Sequence, residues 1–124
     1  MAETSTQLRG AAAEALAAGY LHTQGLSIIA RNLRCKVGEL DLVCLDGDVL
    51  VIVEVRQRGR TDFGGALASV NWRKRRKLIR ATQFQWQRQP EWRGRALRFD
   101  VLAVQVRPDG TRDIAWVKDA FQAG

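Results

Sequence analysis

Of the six charged side chains in the segment Gly38–Arg56, four stand away from the Asp46–Asp48 turn: Glu39, Asp41, Glu54 and Arg56. Strand side chains alternate, so charged residues two apart share one face. Three carboxylates gathered this way repel one another, and a divalent cation relieves the repulsion. Hard cations such as Mg²⁺ take one or two carboxylates together with waters and phosphate oxygens. The other way to neutralise such a group is an internal ion pair, here Arg56 against Glu54. Spacing alone leaves both open, since charge clusters in strands also serve structure.

The elements that must position these residues read as a hairpin. Glu39 to Leu45 forms one strand and Val49 to Arg56 the next, around the turn dipeptide Asp46-Gly47. Glu39, Asp41, Val43 and Leu45 are expected on one face of the first strand. Leu50, Ile52, Glu54 and Arg56 are expected on one face of the second. A two-residue turn at Asp46-Gly47 or Gly47-Asp48 brings both sets to the same side. One register sets Glu54 opposite Glu39 and the other sets it opposite Asp41. The second strand is apolar on both faces otherwise, so it is expected to be covered on both.

Glu39-Leu40-Asp41 followed by Val53-Glu54-Val55-Arg56 resembles the core of the PD-(D/E)xK nuclease superfamily, the restriction-endonuclease-like fold. More narrowly, the chain resembles the YraN family of small bacterial proteins. Ala13-Glu14, Arg31-Asn32, Gly38-Glu39-Leu40-Asp41-Leu42 and Val53-Glu54-Val55-Arg56 carry that likeness, with Asp62-Phe63-Gly64-Gly65 and Arg98-Phe99-Asp100-Val101. The resemblance implies a nuclease-like α/β domain with Asp41 and Glu54 as metal ligands for Mg²⁺ or Mn²⁺, helped by Glu39 or Glu14. The role of Glu14 follows Holliday-junction resolvases, whose N-terminal helix supplies a metal-site glutamate. The superfamily usually has Lys two residues after the second acid, where this chain has Arg56. Arginine stays protonated and cannot act as general base. It can still hold a phosphate and stabilise developing charge, so the resemblance implies catalytic roles for Asp41, Glu54 and Arg56. Junction-cutting relatives work as dimers, which leaves a homodimer open.

The 124 residues suffice for one domain with one core. Net charge is +7, with a pI of about 10.4, which favours an anionic partner such as DNA. The charge is uneven. Between Val55 and Arg98 stand 13 Lys and Arg against Asp62 and Glu91 alone. Cys35 and Cys44 lack zinc-ligand spacing and fit a reduced, cytoplasmic setting. No apolar run reaches the roughly 18 residues of a membrane span, and no signal peptide is evident.

In chain order, residues 1–6 are polar and expected to fray. Gln7 to His22 reads as a helix with Ala13, Leu16, Ala17, Tyr20 and Leu21 on one face and Glu14 at its edge. Leu26 to Arg34 reads as a strand leading into the hairpin. Gln57 to Ser69 reads as a glycine-containing loop that carries Arg58 and Arg60. Asn71 is a candidate N-cap for a helix from Trp72 to Arg88. Its buried stripe is expected at Arg75, Leu78, Ile79, Thr82 and Trp86. Arg73, Lys74, Arg76, Lys77 and Arg80 spread over the remaining surface, where they suit phosphate contacts. Trp72 and Trp92 are placed to stack on bases, and Trp86 and Trp116 to fill a core. Arg95 to Val106 and Asp113 to Lys118 read as further strands around a Pro108-Asp109-Gly110 turn. The order α-β-β-β-α-β-β suits a mixed sheet flanked by helices.

The functional expectation is a metal-dependent nuclease on DNA, branched or linear. The alternative is a nucleic-acid-binding module with a degraded site. A purely structural or protein-binding role predicts neither metal nor DNA binding.

Overall fold

A computed structural model describes residues 5–58 and 68–123. Helix α1 spans Ser5–Thr23, followed by strands β1, Ser27–Cys35, β2, Gly38–Asp46, and β3, Val49–Arg58. Helix α2, Trp72–Arg88, leads through a 3₁₀ turn at Pro90–Trp92 to β4, Leu97–Val106, and β5, Arg112–Phe121. The five strands form one mixed sheet in the order β1-β2-β3-β4-β5. Only β3 and β4 are parallel, because α2 carries the chain back between them. This is the α/β order expected of a restriction-endonuclease-like domain.

Each face of the sheet is covered by one helix. Ala13, Ala17, Ala18 and Leu21 of α1 pack on Leu42, Cys44, Val51, Val53, Leu102 and Val104. Leu78 and Ala81 of α2 belong to the opposite core with Leu40, Val43, Leu50, Ile52, Phe99 and Val101. Strand β3 thus contributes alternate residues to two cores, as its doubly apolar sequence requires. Asn71 caps α2, its Oδ1 accepting the Lys74 N–H at 3.0 Å. Trp92 is 2% exposed and belongs to the α2-side core. The expectation that it stacks on bases is therefore corrected.

The far end of the sheet is held by a buried charge cluster. Asp100 is fully buried and accepts two hydrogen bonds from Arg98, at 2.9 and 3.0 Å. It also accepts the Trp116 indole N–H and the Asp119 backbone N–H, both at 2.9 Å. Asp119 has φ 53° in a bulge of β5, and the Asp100 carboxylate holds that bulge in place. No described helix is long and apolar enough to cross a membrane.

Candidate metal centre

The β2–β3 hairpin turns at Gly47-Asp48, with Gly47 at φ 59° and Asp46 paired with Val49. This register runs inward to the pair Leu42–Val53. Continued by one step, that register would set Asp41 opposite Glu54, but no such pair forms. There the ladder stops. Instead of another strand carbonyl, Asp41 Oδ2 accepts the Val55 N–H at 3.0 Å.

The alternation of β2 slips at the same point. Val43 and Leu40 belong to the same α2-side core, although strict alternation sends them to opposite faces. Leu42, between them, belongs to the α1-side core. Across the ladder, between residues paired with Leu42 and Leu40, stands Asn32 in the left-handed region at φ 50°. Asparagine tolerates this conformation better than most residues. The expectation that Glu39, Asp41, Val43 and Leu45 share a face is corrected accordingly. Gly38 lies against α2, where an added Cβ would come within 3.8 Å of Ala81. Glu39, between Gly38 and Leu40, is turned to the α1 side.

That slip gathers acids from two elements, α1 and β2. One carboxylate oxygen each from Glu14, Glu39 and Asp41 lie within 4.8 Å of one another. Glu14 comes from α1, and its carboxylate is hydrogen-bonded by the Asn32 side chain. Asp41 also meets Glu54 side chain to side chain. Asp41 is therefore the residue common to both sides of the opening between β2 and β3.

The electrostatics record the crowding. Burial, then the Asp41 charge, raises the Glu14 carboxyl above its usual range, against the opposing hydrogen bond from Asn32. Glu54 is 3% exposed, and burial together with the Asp41 side chain pushes it up to about 8. Lys74 and Arg56 act in the opposite direction. Lys74 Nζ stands 3.4 Å from Glu54 Oε2, yet that buried oxygen makes no hydrogen bond. Glu39 has a 3.6 Å ion pair with Arg34, whose side chain is 80% exposed, so solvent screens it strongly.

The donor set fits a hard divalent cation. It is all carboxylate oxygen and carries excess negative charge. Oxygens on opposite sides of a Mg²⁺ ion stand roughly 4 Å apart, the scale of the Glu14–Glu39–Asp41 group. The three carboxylates close enough to share one ion are Glu14, Glu39 and Asp41; Glu54, expected from sequence as a central ligand, lies outside that group and touches it through Asp41.

The cations divide into two groups. Arg56 Nη2 donates to the Ser69 carbonyl at 3.0 Å, while its Nε is buried without a hydrogen-bond partner. Lys74, read from sequence as a phosphate contact, is turned inward to Glu54. Its position in an unbroken charge run gave no sign of this. Arg73, Arg76, Lys77 and Arg80 remain exposed along α2. Arg58 ends β3 with its side chain outside the described residues, and Arg60 lies outside them too, as does Asp62-Phe63-Gly64-Gly65. Asn32 is the site residue that sequence reasoning missed. Its signal was an asparagine, a residue that tolerates the left-handed region, in the middle of a strand.

The model of the uncharacterised protein family UPF0102 matches residues 13–104, which include Glu14, Glu39, Asp41, Glu54 and all of α2. A UPF0102 protein of Pseudomonas putida strain GB-1 is 47% identical over 122 residues, covering 98% of this chain and 99% of the relative. One from Pseudomonas savastanoi pv. phaseolicola is 45% identical over 123 residues, covering 99% and 100%. One from Stutzerimonas stutzeri is 46% identical over 120 residues, covering 97% and 99%. The chain therefore belongs to the UPF0102, or YraN, family.

Proposed function

We propose that this protein is a divalent-cation-dependent nuclease that hydrolyses phosphodiesters in DNA. The observation that carries this reading is the group of Glu14, Glu39 and Asp41 carboxylate oxygens within 4.8 Å of one another, with Glu54 reaching it through Asp41. Asp41 and Glu54 hold Mg²⁺ or Mn²⁺, with Glu39 and Glu14 completing the acidic wall. A divalent cation held there would supply polarisation of the phosphodiester and a stronger water nucleophile at neutral pH. Asp41 is held in place by the Val55 N–H, so its orientation is set before any ligand binds. Arg56 faces the same side of β3 as Glu54 and offers a permanent positive charge to the phosphate. The exposed cations of α2 hold the rest of the backbone without reading sequence.

The second reading, a nucleic-acid-binding module without catalysis, has Arg56 in its favour, since arginine cannot take a proton from water. Cleavage assays with Mg²⁺ and Mn²⁺ on branched and linear DNAs, beside metal titrations of the same protein, separate the two. Cleavage that disappears in Asp41→Asn supports the nuclease. Tight DNA binding without cleavage on any substrate supports the module.

A further inference from the structure

Helix α2 carries a second pattern that the acidic centre does not use. Trp72, Arg76, Ile79, Gln83 and Trp86 follow one another at spacings of four, three, four and three. At 3.6 residues per turn they form one continuous flank. Trp72 heads it and is 65% exposed, a large apolar side chain left in water at the end of α2 nearest Glu54. Arg76 within the flank and Arg80 beside it are exposed cations. At its other end is a groove of about 640 Å³, within the size range of small-ligand sites. Ile79, Gln83, Trp86, Arg95, Leu97 and Phe99 line it, and no acid does. An aromatic platform at each end, a cationic strip between, and amide and guanidinium groups at the groove suit one kind of ligand. Unpaired bases stack on aromatic rings and their phosphates track positive charge.

We infer that the outer flank of α2 is a track for single-stranded nucleic acid, with one unpaired base on Trp72 and another in the groove beside Trp86. This rests on the nucleic-acid reading above and narrows its substrate to strands with unpaired bases, such as overhangs and flaps. Trp72 and Trp86 are 14 residues apart, about 21 Å along the axis, or roughly six nucleotide steps at the B-form rise. Arg76 and Arg80 face the phosphates between them. A paired, stacked base offers no ring face to either platform, so duplex DNA meets only the cations.

Anisotropy titrations at low salt without divalent cation test this, using a labelled single strand of about a dozen nucleotides and a blunt duplex of equal length. The single strand should bind at least about fivefold more tightly, and Trp72→Ala should lower its affinity by about 5- to 100-fold with the duplex unchanged. Trp72→Phe should retain most of the affinity. Trp86 packs edge-on against Trp92, so the groove is tested at exposed Gln83 instead. Gln83→Glu places a carboxylate at its mouth and should weaken the strand alone. Equal affinity for strand and duplex, with neither substitution selective, overturns the track. Metal-dependent cleavage under that outcome leaves the nuclease reading standing. Selective strand binding with no metal binding at Asp41 does the reverse.

Discussion

Asp41 Oδ2 accepts the Val55 N–H at 3.0 Å, one step past Leu42–Val53, the last pair of the β2–β3 ladder. A carboxylate thus stands in for a strand carbonyl, and its other oxygen remains for Glu54, Glu14, Glu39 or a cation. Asp41→Asn keeps an acceptor for Val55 while removing one of the mutually repelling charges. Without metal its Tm should equal or exceed the wild type, because relief of repulsion offsets any loss in hydrogen-bond strength. Asp41→Ala leaves the Val55 N–H without that partner and should cost about 1–3 kcal/mol. Wild type should gain Tm with Mg²⁺ or Mn²⁺, and neither variant should. A large loss of stability in Asp41→Asn, with no metal-dependent gain in the wild type, would remove the metal centre.

The raised Glu54 carboxyl has a pH signature. Its folded value of about 8 lies above the ordinary glutamate value of 4.5, so between these limits the folded chain holds a proton that the unfolded chain has lost. Stability from this group is complete below the lower value and declines as pH rises through the upper one. The slope in that window is at most about 1.4 kcal/mol per pH unit. Glu54→Gln should flatten it in thermal melts without metal. Cation binding needs the ionised form, so it should release a proton at neutral pH, and its affinity should climb from pH 6 to about pH 8. A metal affinity that stays flat over this range contradicts Glu54 as a ligand.

Most of the scaffold was legible because local chemistry and periodicity agree there. The Asp46–Asp48 turn, the Asn71 cap and the alanine-rich face of α1 each have a short-range cause. The register that pairs Asp46 with Val49 and Leu42 with Val53 was one of two allowed by the turn dipeptides. What could not be read were features that depend on several distant segments. The alternation slip needs Asn32 of β1 in the left-handed region beside Asp41 of β2. Asp100 finds its partners in β5 as well as at Arg98, and Trp92 is buried by α2 and the sheet. Lys74 is one cation of five consecutive ones, and only the facing of α2 shows that it alone reaches Glu54.

The Arg98–Asp100 pair should prove structural. Removing Arg98 leaves a fully buried carboxylate with only Trp116 and the Asp119 N–H, so Arg98→Met should cost about 3–5 kcal/mol. Arg98 also bonds Asp46 at 3.0 Å, at the turn end of β2 and away from Asp41. Metal affinity of the folded fraction should therefore be unchanged. Urea melts and metal titration check the two halves, and a weakened metal site with normal stability would reassign the pair.

Lys74 and Arg76, two residues apart on α2, should behave oppositely. Lys74 Nζ lies 3.4 Å from Glu54 Oε2 and lowers the cost of ionising that carboxyl. Lys74→Gln should move the pH dependence of metal binding to higher pH, since Glu54 then loses its nearest compensating charge. Its effect on the salt dependence of DNA binding should be small. Arg76 is exposed and faces away from the sheet. Arg76→Gln should leave the metal pH profile in place, weaken DNA binding across sequences, and reduce the slope of log affinity against log salt by about one. Titrations of both variants at several salt concentrations and pH values decide the matter. If Lys74→Gln changes the salt slope as Arg76→Gln does while the metal profile stays fixed, Lys74 is a phosphate contact and its pairing with Glu54 is incidental.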